Sequence, residues 1–138
     1  MKPLLAVSAL VLLVIGAAQL LFPVRFHALN GVEIDDVDLL SEVRAAGGLL
    51  VALGLVVARG VVREPRRALR VAAVAYLAYG LARLVAIAFD GPPGVGLLGA
   101  TAAELALGVA CAAVLRRTAV KPASGVPSPD RTPTSHPR

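Results

Sequence analysis

Four ionisable side chains, Glu42, Arg44, Arg83 and Glu104, stand inside stretches built almost entirely of Leu, Val, Ala and Gly. A charge in hydrocarbon is costly, so such residues face other protein or a polar space and mark a site by default. Two acids and two arginines sum to zero formal charge. Ion pairing is open to them, and so is holding a ligand or an ion. Hydrolytic chemistry is the least supported, because no nucleophile lies beside a base. The histidines, His27 and His136, fall outside the apolar stretches, which excludes haem ligation by a histidine pair within a span. The single cysteine, Cys111, rules out an intrachain disulfide and a cysteine-ligated iron–sulfur cluster. No Gly-rich nucleotide fingerprint follows a strand. The expectation is a protein with no catalytic residues, no metal and no cofactor of its own.

Spacing adds detail to this polar set. Tyr76, Tyr79 and Arg83 share one helical face, which lets Tyr79 hydrogen-bond the charges. Thr101, Glu104, Gly108 and Cys111 share another, and Gln19 is placed to join the same cluster. Cys111 reads as a small packing residue. Gly47, Gly48, Gly54, Gly80 and Gly108 are the small residues that let membrane helices approach closely.

The elements that must position these groups are four apolar runs: 3–22, 39–58, 68–89 and 95–115. Each meets the ~20 residues a helix needs to cross a hydrocarbon core of ~30 Å. None alternates as a barrel strand would. The predicted fold is therefore an all-α membrane protein, a bundle of four transmembrane helices spanning residues 1–117. Lys2, the first apolar run and Gly16-Ala17-Ala18 also fit a signal peptide cleaved before Gln19. The run continues through Leu20, Leu21 and Phe22, so a retained first helix is expected.

Orientation follows from short loops. Arg59, Arg63, Arg66, Arg67 and Arg70 against Glu64 place the second connection in the cytoplasm, as Lys2, Arg116, Arg117 and Lys121 do for the termini. The first connection carries Glu33, Asp35, Asp36 and Asp38 against Arg25 and belongs outside, as a solvated acidic loop rather than a cation site. Asp90-Gly91-Pro92-Pro93-Gly94 is a tight outer turn. The charged set then lies in the outer half of the membrane. At ~1.5 Å per residue, Arg83 is about 9 Å inside the outer end of its helix and Glu104 about 14 Å along the next.

Glu104 needs compensation there. A central charge costs ~3 kcal/mol on insertion scales, and each Leu or Val returns about 0.3–0.6. The eight Leu and Val residues of 95–115 only roughly balance it. Arg83 is the first choice of partner and Arg44 the second. A neutral, protonated Glu104 is the alternative.

Composition agrees with a membrane protein: 57% of the 138 residues are hydrophobic and 17% charged. The net charge of +5 is concentrated between apolar runs, with no basic face on a soluble fold for nucleic acid. Membrane lipids are the expected partners, with a protein partner or a second copy also open. From Thr118 the chain turns to Pro122, Pro127, Pro129, Pro133 and Pro137 among Ser, Thr and Gly, a composition that reads as a disordered cytoplasmic tail over 118–138.

The segment Ser41-Glu42-Val43-Arg44-Ala45-Ala46-Gly47-Gly48-Leu49 resembles a bacterial family catalogued as domain-of-unknown-function family 4345. That family opens its second helix with Ser-Glu-x-Arg-x-x-Gly-Gly. Its Gly-x-x-Arg-Leu segment is matched by Gly80-Leu81-Ala82-Arg83-Leu84, and its Glu-Leu pair by Glu104-Leu105. The resemblance covers residues 4–117. It implies a four-helix bundle, carries no established reaction, and falls on the charged positions already singled out. More distantly, the layout is similar to DoxX-like membrane proteins, some of which work beside quinone-linked redox enzymes.

The functional expectation is a non-enzymatic multi-pass protein of a bacterial inner membrane, either an accessory subunit or a small-ligand-binding bundle. A component associated with quinone-linked enzymes is the alternative, and an oligomeric small-solute transporter the further one. The polar cluster itself either serves packing alone, fixing helix register, or holds a ligand.

Overall fold

The structure is a computed structural model and describes residues 1–119; the Pro-rich tail, from residue 120 on, lies outside the described residues. Five helices follow one another: α1 (Lys2–Leu21), α2 (Pro23–Ala28), α3 (Val37–Arg63), α4 (Pro65–Asp90) and α5 (Val95–Ala119). All but α2 are long and apolar enough to cross a membrane.

Helix boundaries are set by chemistry legible residue by residue. Pro23 disfavours helical dihedrals at the residue before it, and α1 stops at Phe22 (φ −129°, ψ 47°). Pro23 then opens α2, a helix of six residues within the stretch expected to be a loop. Asp36 caps α3, its carboxylate accepting from the Asp38 amide at 3.0 Å. The acidic stretch therefore also starts a helix. Gly91, at φ 92°, ends α4 in a conformation open to glycine, which fits the tight turn before α5.

The arginine-rich connection differs most from expectation. The apolar runs predict a loop between 58 and 68, yet α3 runs to Arg63 and α4 starts at Pro65, with Glu64 alone between them. Arginine is a good helix former, so nothing stops α3 until Pro65 forces Glu64 out of the helical region (φ −142°, ψ 70°). Gly60 packs on Ala68 across this corner. Similarly, α5 passes through Thr118, where the tail was expected to begin.

α1 packs antiparallel on α3, and α4 antiparallel on α5, giving two helix pairs that meet mainly along α3 and α4. In the first pair a side chain at Gly16 would collide with main-chain atoms of Gly47 and Val51, and one at Gly47 with Leu20 and Gly16. Gly54 receives Leu13, Gly80 receives Leu105, and Gly108 receives Leu77. Gly48 differs from its neighbour: nothing lies within 4 Å of where its Cβ would be, because it is turned away from the α1 contact.

The core shared by the pairs includes Leu5, Leu12, Val57, Leu69, Ala72 and Tyr76. Outward-facing positions are as apolar as inward ones: Leu10, Leu55, Val74 and Val109 are all exposed. Soluble proteins avoid covering themselves this way, and lipid makes it favourable.

Candidate functional site

The two ends of the bundle differ in charge. One gathers Arg59, Arg63, Arg66, Arg70, Arg116 and Arg117; the other holds α2, the acidic stretch and the α4–α5 turn. Toward the acidic end, Arg83 of α4 meets Glu104 of α5, Nε to Oε2 at 3.2 Å. The pair is largely enclosed, with side-chain exposures of 22% and 11%. The contact is an ion pair rather than an aligned hydrogen bond, and both atoms are buried without a hydrogen-bond partner. The Arg83 guanidinium lies 5.1 Å from the Tyr79 ring centroid. Tyr79 thus offers the arginine its ring face.

The other expected members take different places. Arg44 donates to the Leu20 carbonyl at 2.7 Å. It answers one of the carbonyls left open at the end of α1 and has no part in the Arg83–Glu104 pair. Glu42 is exposed at the start of α3. It forms no ion pair among the described residues. Gln19 is buried at 4% exposure against Gly47, without a hydrogen bond to the charged pair. Thr101, Glu104, Gly108 and Cys111 are all buried along one face of α5. Thr101 donates to the Leu97 carbonyl at 2.8 Å.

Beside Glu104 is a cavity of about 30 Å³, lined by Val11, Leu12, Ile15, Leu50, Ala75, Tyr76, Tyr79 and Glu104. Every spanning helix contributes to it, and it lies where the two helix pairs face each other. A space of this size holds a water molecule or two. Its walls are apolar except at the Tyr79–Glu104 side and at Tyr76. Tyr76 turns its hydroxyl to the Ser8 carbonyl at 2.7 Å. Ser8 Oγ and Cys111 Sγ are 3.6 Å apart just beyond. This buried knot joins α1, α4 and α5.

The first connection supplies a residue that sequence reasoning left outside the site. His27 packs edge-on against Phe26, with ring centroids 5.4 Å apart. Asn30, on the same stretch, places its side-chain oxygen against Gly96, so the stretch folds over the start of α5. Burial of the imidazole, and then the nearby Arg83 charge, hold the His27 pKa below its usual value of 6.5. His27 Nε2 is the third buried side-chain atom without a partner among the described residues, the others being Arg83 Nε and Glu104 Oε2. No signal in sequence gave this, since the fold-back depends on α2.

A depressed histidine pKa means the unfolded chain binds the proton more readily, so stability rises with pH across the interval between the two values. The His27 contribution is complete above 6.5 and is lost as pH falls below it. Melting in detergent between pH 7.5 and 5.5 is expected to show a decline that the His27→Asn variant lacks. An identical decline in both proteins would place the titrating group elsewhere.

Comparison with known proteins gives one result of substance: a family described as a domain of unknown function, DUF4345, matches residues 1–115. No curated protein matches the chain, and no solved structure does.

Proposed function

Since the chain belongs to the DUF4345 family, whose description assigns no reaction, its role must be read from its own site, and we propose that it is a non-enzymatic, small-ligand-binding membrane bundle. The observation that carries this is a set of buried polar atoms that lack hydrogen bonds. Arg83 Nε and Glu104 Oε2 face each other at 3.2 Å, His27 Nε2 is buried near enough to feel the Arg83 charge, and Glu104 lines the cavity between the helix pairs. Buried polar atoms are nearly always satisfied, and a group of them in one place suits a polar guest. Arg83 and Glu104 offer a donor and an acceptor, and their charges cancel. A neutral head group such as a hydroxyl or carbonyl fits that pattern better than an ion. An apolar body would enter between Val11, Ile15 and Leu50 only as the helix pairs part, since the closed cavity of about 30 Å³ admits no more than a water molecule or two.

Native mass spectrometry of the protein in mild detergent tests this, followed by solvent extraction. The expected result is one neutral amphiphile per chain, lost in the Arg83→Met, Glu104→Leu double variant. An isoprenoid quinone would favour the redox-associated alternative within this reading. A stoichiometric protein partner with no small molecule would favour an accessory subunit instead.

The same reading places the arginine-rich end in the cytoplasm of a bacterial inner membrane, since arginine in short connections stays on that side. Reporter fusions after Arg67 and Arg117 are expected to report cytoplasm, and fusions after Asp36 or Pro93 the outside. A periplasmic signal at Arg67 would invert the arrangement.

A further inference from the structure

The arginine-rich end carries a feature separate from the site above. Arg66 and Arg70, one turn apart at the start of α4, and Arg116 near the end of α5 line a depression of about 310 Å³ with Leu115 and Thr118. No acid lines it, and none of the three arginines forms an ion pair among the described residues. Arg66 is held in place, its guanidinium donating to the Thr118 carbonyl at 2.7 Å. Arg70 and Arg116 are exposed, with no hydrogen bond among the described residues. Three like charges gathered around one concavity repel each other unless an anion lies between them.

We propose that this depression binds the phosphodiester head group of an anionic phospholipid. The choice of a lipid over a free anion rests on position. Leu115 gives the depression an apolar wall. The spanning segment of α5 runs to Thr118, so this wall lies where hydrocarbon gives way to head groups. Basic pockets between transmembrane helices recognise anionic lipids in this way. A neighbouring depression, of about 260 Å³ between α3 and α4, is the internal contrast. It is lined by Arg59, Arg63 and Arg67 but includes Glu64, which pairs with Arg67 at 3.3 Å. Its field is partly cancelled, so it is the weaker site.

The test uses the full chain in mild detergent, titrated with phosphatidylglycerol, phosphatidylcholine or inorganic phosphate, and read by native mass spectrometry and by melting. One phosphatidylglycerol per chain is expected to survive delipidation, with no such retention of phosphatidylcholine. Each arginine near an anionic surface contributes about fivefold to affinity, so Arg70→Gln with Arg116→Gln is expected to weaken retention roughly 30-fold. The charge-matched variant Arg59→Gln with Arg63→Gln is expected to keep it. All four positions are exposed, so melting without lipid checks that each variant is folded. Equal losses in the two double variants would reduce the effect to diffuse surface charge and overturn the site. Inorganic phosphate raising the melting temperature as much as the lipid does would overturn the lipid assignment.

Discussion

Replacing Arg83 with alanine is expected to destabilise the bundle more than replacing Arg83 and Glu104 together. The pair is 3.2 Å apart and largely enclosed, on two neighbouring helices. Arg83→Ala leaves a carboxylate in an apolar wall with no counter-charge, and breaking a buried pair typically costs ~3–5 kcal/mol. The double change Arg83→Ala with Glu104→Ala removes the charge along with the partner and is expected to cost much less. Glu104→Ala alone falls between, because the longer arginine can carry its head toward water while its stem stays in the bundle. Melting in detergent of the three variants measures the coupling. Simple addition of the two single effects would show that the residues do not support each other. Arg44 would not inherit the role, since it is already committed to the Leu20 carbonyl.

The second large effect belongs to the α1–α3 contact. A Cβ at Gly47 would stand 2.7 Å from the Leu20 amide nitrogen and 2.9 Å from the Gly16 carbonyl oxygen. A Cβ at Gly16 would stand 2.7 Å from the Val51 nitrogen. Main-chain atoms cannot rotate aside, so the helices themselves must separate. Gly16→Ala and Gly47→Ala are each expected to cost about 1–3 kcal/mol, as overpacking does. Together they are expected to cost less than the sum, since one separation relieves both. Gly48→Ala provides the contrast. With open space at that position, its expected effect is nil or a gain of up to about 1 kcal/mol from helix propensity. A Gly47→Ala protein that melts like the parent would mean that this contact does not hold the pair together.

The parts of this fold that sequence exposes are those that depend on local composition. Four spans follow from hydropathy because lipid imposes one requirement on every residue of a segment. The opposition of Arg83 and Glu104 was within reach because depth along two antiparallel helices fixes which residues share a level. What composition does not carry is rotation and fold-back. Adjacent glycines at 47 and 48 look alike in sequence, yet about 100° of helical turn sends one into α1 and the other away from it. Arg44 looked like a partner for a buried acid because its neighbour in space, the open end of α1, is a property of another helix. Tyr76 and Ser8 lie far apart in the chain, and only the packing of α1 on α4 makes them a hydrogen-bonded pair. The six-residue α2 has too few turns to show a period, so His27 had no visible route to Arg83.

The single-residue joint at Glu64 has a mechanical consequence. With so short a tether, and with Gly60 seated on Ala68 beside it, the two halves of the molecule have little freedom to slide past each other. A rigid rotation of one half against the other would pivot on that corner. Arg83 lies eighteen residues beyond Pro65, a lever arm of roughly 27 Å at the rise of an α-helix. A rotation of about 5° at the pivot would part the halves by roughly 2 Å at that radius. At the pivot itself the helices would hardly move. Such a rotation would leave the arginine end nearly still and part the helix pairs at the level of Glu104, which is where room for a larger guest would open.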